Sequence, residues 1–284
     1  MRKIKLVTEL TRWRDYYGMV LIITFIGIFV AQPQDLIKII IVTFANLTSC
    51  AFAFMINDIE DADDDTLDLS KKRRNPVSSG KLKRENAYLL SVITALISII
   101  FYSFLGMKIA ILGITGIILG FAYSYKKIRL KSKPFADFIS HGIFLGLIFF
   151  ITAILISENT IDWYLIIFPG MGIFTLSAIS DINNEIRDYH VDRIAGLKNT
   201  ANMINLLKLK RIFYVISSVL GVLFYYYFIV KSSNLTKILL IGIIEIFGIV
   251  YALNWNKFKT NYFKYSYKQL FLASIGFTLL LNRI

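Results

Sequence analysis

Long apolar runs separated by short polar stretches repeat along almost the whole chain. Runs of about 17–25 apolar residues are what a helix needs to cross a bilayer. On that measure spans are predicted at 16–31, 36–57, 87–106, 108–125, 135–156, 162–182, 211–231, 235–253 and 267–283. The links "QPQD" (32–35) and "GMK" (106–108) are short enough that neighbouring helices must pair as hairpins. The pattern therefore predicts an all-α polytopic membrane protein of about nine helices. The whole chain, 1–284, reads as one membrane domain.

Composition agrees. Of 284 residues, 56% are hydrophobic and 18% are charged, against about 25% charged in an ordinary soluble domain. The runs are too many and too long for the buried helices of a soluble protein. Cys50, the single cysteine, lies in an apolar run and excludes both an intrachain disulfide and a Cys-rich metal site. The first apolar run has no small-residue cleavage site after it, so a removable signal peptide is not expected.

Charge orients the bundle. The net charge is +13. The N-terminus and the segments 58–86, 126–134, 183–211 and 254–268 carry 5, 7, 5, 6 and 4 Lys and Arg, which is 27 of the 32. Only Lys38, Lys108, Lys231, Lys237 and Arg283 fall on the other side. By the positive-inside rule the N-terminus and these segments are cytoplasmic. Topology accounts for the basic excess, and no nucleic-acid motif accompanies it.

Against that basic background, seven of the twelve residues in "NDIEDADDDTLD" (57–68) are acidic. If the second span continues as a helix, Asp58, Asp61, Asp65 and Asp68 fall within roughly 80° of one another, with Asn57 beside them. A second cluster, in "SDINNEIRDYHVDRIAGLKNT" (180–200), puts Asp181, Glu185, Asp188 and Asp192 within roughly 60°. Both lie at cytoplasmic span ends. Two carboxylate faces at one depth repel unless cations separate them, and all-oxygen donors suit Mg²⁺, which keeps phosphate oxygens in its shell. No His/Cys set is present to favour zinc or iron. The basic stretches "KKRRNPVSSGKLKR" (71–84) and "YSYKKIRLKSKP" (123–134) border the same surface. Acids for Mg²⁺ beside bases for phosphate are what a diphosphate substrate requires.

The motifs N-D-x-x-D-x-x-x-D (Asn57, Asp58, Asp61, Asp65) and D-x-x-x-D (Asp188, Asp192), set among nine spans, resemble the UbiA superfamily of intramembrane prenyltransferases. "RRNPVSSG" (73–80), "YSYKKIRLK" (123–131) and "DRIAGLKNT" (192–200) resemble its other segments in order and spacing. Two departures stand out: Arg74-Asn75 replaces the family's Asn-Arg before proline, and Tyr125-Lys126-Lys127 stands where Pro-Pro is common.

The resemblance implies helices around a central cavity and a Mg²⁺-dependent transfer of an isoprenyl group from an allylic prenyl diphosphate. Asp58, Asp61, Asp65, Asp188 and Asp192 would hold the metal. Asn57, Arg74, Arg129, Lys131 and Lys198 would bind the diphosphate, and Asp181 and Glu185 are candidates for the base. The acceptor would be a small aromatic or lipid molecule, of quinone-precursor or archaeal-lipid type. No long transit segment precedes the first span, which points to the cytoplasmic membrane of a prokaryote. Three rivals are an intramembrane terpene cyclase, a divalent-cation transporter and a soluble-type prenyl diphosphate synthase, the last opposed by the nine spans. Among other polar residues, Arg12 and Arg14 are placed either to reach phosphate or, the preferred reading, to anchor to lipid headgroups, and His141 reads as a packed polar side chain. Asp137 is either near the site or at the interface, and Glu245 is either structural or functional.

Overall fold

The computed structural model describes residues 2–161, 163–194, 196–204 and 208, and the described residues contain helices and no strand. The helices are α1 (Arg2–Thr11), α2 (Trp13–Ala31), α3 (Leu36–Glu60), α4 (Leu69–Arg74), α5 (Arg84–Phe104) and α6 (Met107–Ser124). They continue with α7 (Ala136–Gly142), a π-helical turn (Ile143–Leu147), α8 (Ile148–Ile154), α9 (Trp163–Ile194) and α10 (Thr200–Met203). Six segments are long and apolar enough to cross a membrane: α2, α3, α5, α6, the α7–π–α8 run and α9 as far as Tyr189. They match the first six predicted spans. The spans predicted at 211–231, 235–253 and 267–283, and with them Glu245, lie outside the described residues.

α3 is the axis of the described bundle and packs on α1, α2, α5, α6 and α8. It starts where Asp35 accepts hydrogen bonds from the Ile37 and Lys38 amides, the usual N-cap device. Small residues bring neighbouring helices close, as in other membrane bundles. A Cβ added to Gly113 would stand 2.1 Å from the Tyr102 ring, so only glycine lets α5 and α6 approach that closely. The outer face of α5 presents Leu89, Val92, Leu96 and Ile100, all exposed, as a lipid-facing surface requires.

The helix expected to run from the second span to residue 68 stops at Glu60, with Asp61 as its C-cap. The acids themselves explain the early end. Negative charge is unfavourable at a helix C-terminus, and like charges three or four residues apart repel along a continuing helix. The chain turns and forms a 3₁₀ segment at Asp64–Leu67. Asp68 then caps α4, accepting from the Ser70 and Lys71 amides. The first acidic stripe is thus not a helix face. The second is: α9 continues unbroken through Asp181, Glu185, Asp188 and Asp192 to Ile194.

Candidate active site

The end of α3, the end of α6, the start of α7, the C-terminal part of α9 and the junction of α1 with α2 meet at one end of the bundle. Their polar side chains find partners across elements rather than along them. Asp58 is fully buried. Its Oδ1 accepts from the Arg12 guanidinium at 3.0 Å, and Arg74 stands 4.0 Å away. Among the described residues its buried Oδ2 has no hydrogen-bond partner. Asp61 accepts from Arg129 at 3.3 Å and Lys131 at 2.5 Å. Lys131 also donates to Asn57 Oδ1 at 3.0 Å, which the Ser124 hydroxyl reaches at 3.2 Å. Asp65 is buried and accepts from Asn75 at 2.8 Å, while the same amide donates to the Asp58 carbonyl.

On the other motif, Asp188 pairs with Lys71 at 3.0 Å and with Arg187 at 3.1 Å. Asp192 accepts from Asn199 at 2.9 Å. Lys71 also acts electrostatically on Asp65 and Asp192, and Lys131 on Asp192. The two acidic motifs therefore face each other across Lys71 and Lys131. Asp68 does not join them; it is partly exposed and caps α4. Arg74 is half-exposed. Lys198 is exposed and forms no ion pair among the described residues.

Burial and neighbours set the acidities. Burial pushes Asp65 up, opposed by the hydrogen bond from Asn75. Burial, and then the neighbouring Asp188 carboxylate, push Asp192 up to about 6. Outside the site, exposed Asp63 is held low by hydrogen bonds from Lys126 and Arg84.

Asp181 and Glu185 lie deeper along α9 and are buried. Asp181 accepts from the Tyr123 hydroxyl at 2.5 Å and has His141 Nε2 4.0 Å away. Glu185 Oε2 accepts from the Ala201 amide at 3.0 Å, and its carboxyl lies against that of Asp137. His141 Nδ1 meets Ser177 Oγ at 2.9 Å. His141 is thus the packed polar side chain expected, though its neighbour is one of the candidate bases.

Several residues that carry the site were not expected from the sequence. Arg12 is not a lipid anchor: its side chain is 15% exposed, pairs with Asp58 and lies over the Phe54 ring at 4.9 Å. Lys71 links the two motifs. Asn75, in the departure from the family's usual order, ties Asp58 to Asp65. Arg12 and Asp58 are 46 residues apart, a separation that no local pattern reveals.

The donor set fits Mg²⁺. Asp58, Asp61, Asp65, Asp188 and Asp192 offer carboxylate oxygens, one of them, at Asp58, buried and without a partner among the described residues. Among the described residues no three His, Cys, Asp or Glu side chains converge tightly enough to hold a metal alone.

A helical membrane bundle with opposed carboxylates and interleaved bases at one end has the build of an enzyme for a phosphorylated lipid. The chain belongs to the UbiA prenyltransferase family, whose sequence pattern matches residues 20–275, and it is a membrane-embedded prenyltransferase. No curated protein matches it. Solved structures share the fold. A UbiA homologue from Archaeoglobus fulgidus bound to GPP and Mg²⁺ is 22% identical with a TM-score of 0.72, the match covering 98% of this chain and 96% of that one. An apo UbiA homologue from Aeropyrum pernix K1 is 17% identical with a TM-score of 0.71, over 95% and 98% of the two chains. A digeranylgeranylglyceryl phosphate synthase is 20% identical with a TM-score of 0.69, over 99% and 98%.

Proposed function

We propose that this protein transfers an isoprenyl group from an allylic prenyl diphosphate to a lipophilic or aromatic acceptor and releases pyrophosphate. The observation that carries the reading is the meeting of Asp61 and Asp65 with Asp188 and Asp192 across Lys71 and Lys131. Asp58, Asp61, Asp65, Asp188 and Asp192 would hold Mg²⁺. When bound, Mg²⁺ supplies Lewis-acid stabilisation of the departing pyrophosphate. Arg74, Arg129, Lys131 and Lys198, with Lys71, neutralise the remaining phosphate charge. Lys71, Arg129 and Lys131 then exchange carboxylate partners for phosphate oxygens. Asn57 orients a phosphate oxygen or a water.

The C1–O bond of the allylic diphosphate breaks, and pyrophosphate leaves with the electron pair. An acceptor carbon or oxygen bonds to C1 and loses a proton. Asp181 or Glu185, buried one to two turns deeper along α9, takes that proton up. The helical walls keep water from the allylic cation. The distribution of Lys and Arg supports a site that faces the cytoplasm.

For the acceptor, the reading is a quinone precursor or an archaeal-type glycerol phosphate lipid. The fold shared with a digeranylgeranylglyceryl phosphate synthase supports the latter. The test is mass spectrometry of products formed by the purified protein from geranylgeranyl diphosphate with a panel of aromatic and glycerol-phosphate acceptors. One prenylated acceptor establishes the reading and the pathway. A cyclic hydrocarbon or alcohol formed without acceptor makes the protein a cyclase. No turnover, together with metal flux into proteoliposomes, makes it a transporter.

A further inference from the structure

The two halves of the site are carried by segments far apart in sequence: the basic loop 126–135 and the tail of the second motif, 192–203. They touch at one fully buried point. Asp137, at the start of α7, accepts from the Thr200 amide through Oδ2 and from the Thr200 hydroxyl through Oδ1, both at 2.6 Å. Asp137 and Thr200 are both 0% exposed. The same Thr200 hydroxyl oxygen accepts from the Phe135 amide at 2.8 Å.

Phe135 closes the basic loop with φ +68°, in the left-handed region, and Arg129 in that loop has φ +47°. Neither residue type favours this backbone, so the loop needs an external tether, and Thr200 is one. On its other side Thr200 follows Asn199, whose Nδ2 donates to Asp192 Oδ2 at 2.9 Å and whose Oδ1 caps α10. Glu185 adds a hold on the next residue through the Ala201 amide. A continuous set of bonds thus runs from Asp137 through Thr200 to Asp192 in one direction, and to the loop bearing Arg129 and Lys131 in the other.

We propose that Asp137 and Thr200 form a positioning pair that sets the register of the basic loop against the second acidic motif. Neither touches substrate. The pair fixes where Asn199 presents its amide to Asp192, and where Lys131 stands between Asp61 and Asp192. This rests on the reading that Asp192 holds Mg²⁺. Asp137 is held from three donors, the Thr200 amide and hydroxyl and the Phe138 amide, with the Glu185 carboxyl packed against it, and a buried network tied at that many points holds a defined geometry.

The test is Mn²⁺ binding, followed by electron paramagnetic resonance on the full chain in detergent with a non-hydrolysable prenyl thiodiphosphate, alongside the melting temperature without metal. Thr200→Val keeps the shape and removes the hydroxyl; Asp137→Asn removes one acceptor. Both weaken Mn²⁺ binding by roughly 10–100-fold, the usual effect of losing an outer partner of a metal ligand, and Thr200→Ser recovers most of the loss. Asn199→Asp, which keeps the side-chain oxygen that caps α10 and removes the amide donor to Asp192, moves binding in the same direction and serves if Thr200→Val does not fold; Asn199→Ala removes both. Wild-type Mn²⁺ binding by Thr200→Val or Asn199→Asp, with Asp192→Asn impaired, overturns the positioning role and leaves the metal reading standing. Wild-type binding by Asp192→Asn itself overturns both.

Discussion

Asn46 and Asp58 lie on the same helix, twelve residues apart, roughly 18 Å along its axis. Both are completely buried. Asn46 is neutral and saturated: its amide donates to Thr24 Oγ1 and the Phe149 carbonyl, and its oxygen accepts from the Tyr102 and Thr152 hydroxyls. These bonds join α2, α3, α5 and α8. Asp58 is ion-paired and incomplete, with one oxygen on Arg12 and the other on none of the described residues. In the bilayer interior a polar group is tolerated when its network is neutral and fully satisfied. At the helix end, the carboxylates are matched with Arg and Lys ends instead. The first arrangement holds a bundle together; the second leaves room for a ligand.

The comparison can be broken from the charged side most forcefully. Asp61→Ala or Asp188→Ala removes a group proposed to stabilise departing pyrophosphate through the metal, worth several kcal/mol. Activity should therefore fall by about 10³-fold or more, while yield and melting temperature stay close to wild type. If both variants keep substantial activity in a product assay, the carboxylates are not a catalytic metal site.

Arg12→Met tests the buried ion pair itself. Leaving Asp58 without its close partner should cost about 3–5 kcal/mol, read as a lower melting temperature in detergent. Asp58→Asn in the same background should recover part of that loss, because the orphaned charge is gone. Equal melting of Arg12→Met and wild type would mean that the pair contributes nothing net.

The pH dependence is smaller and has a definite sign. Asp192, raised to about 6 by burial and by Asp188, gains a proton as pH falls through that value and loses its hold on a cation. The half-saturating Mg²⁺ concentration should then rise by about tenfold per pH unit below about 6, and Asp192→Asn should flatten the profile. Stability has the opposite sign. A carboxyl raised in the folded chain contributes stability at low pH that is lost as pH rises through about 6, and melting temperatures in the absence of Mg²⁺ check it.

The smallest effect is at the neutral network. Asn46→Ala removes the acceptor of the Tyr102 hydroxyl and one of the two acceptors of the Thr152 hydroxyl, which keeps the Phe149 carbonyl. Membrane hydrogen bonds are individually weak, so a loss of about 1–2 kcal/mol is expected. The Mg²⁺ requirement and KM of the folded fraction should not change. A shift in KM for the prenyl diphosphate would tie the interior network to the site and remove the distinction drawn above.

The sequence made the membrane fold legible because apolar length is a local property. The first six spans are present, and the acidic face on α9 is the helical face that its spacing predicts. Spacing failed at 57–68 for an electrostatic reason, since the acids that form the stripe also end the helix at Glu60. Asp58 and Asp65 are brought together by Asn75 instead of by helical periodicity. Spacing does not reveal individual pairings made over long separations. Arg12 looked like an interfacial base until the turn before α2 aimed it at Asp58. Lys71 was one base in a run of four. Asp137 was an ambiguous acid at a helix start until Thr200, 63 residues away, supplied its donors.

The most direct test of the central claim is pyrophosphate release from an allylic prenyl diphosphate by the purified protein in detergent, titrated with Mg²⁺ in the presence and absence of acceptor. The account predicts release that requires both Mg²⁺ and acceptor and that stops on chelation. Release unaffected by chelation, or metal binding without any release at every prenyl length, would contradict it.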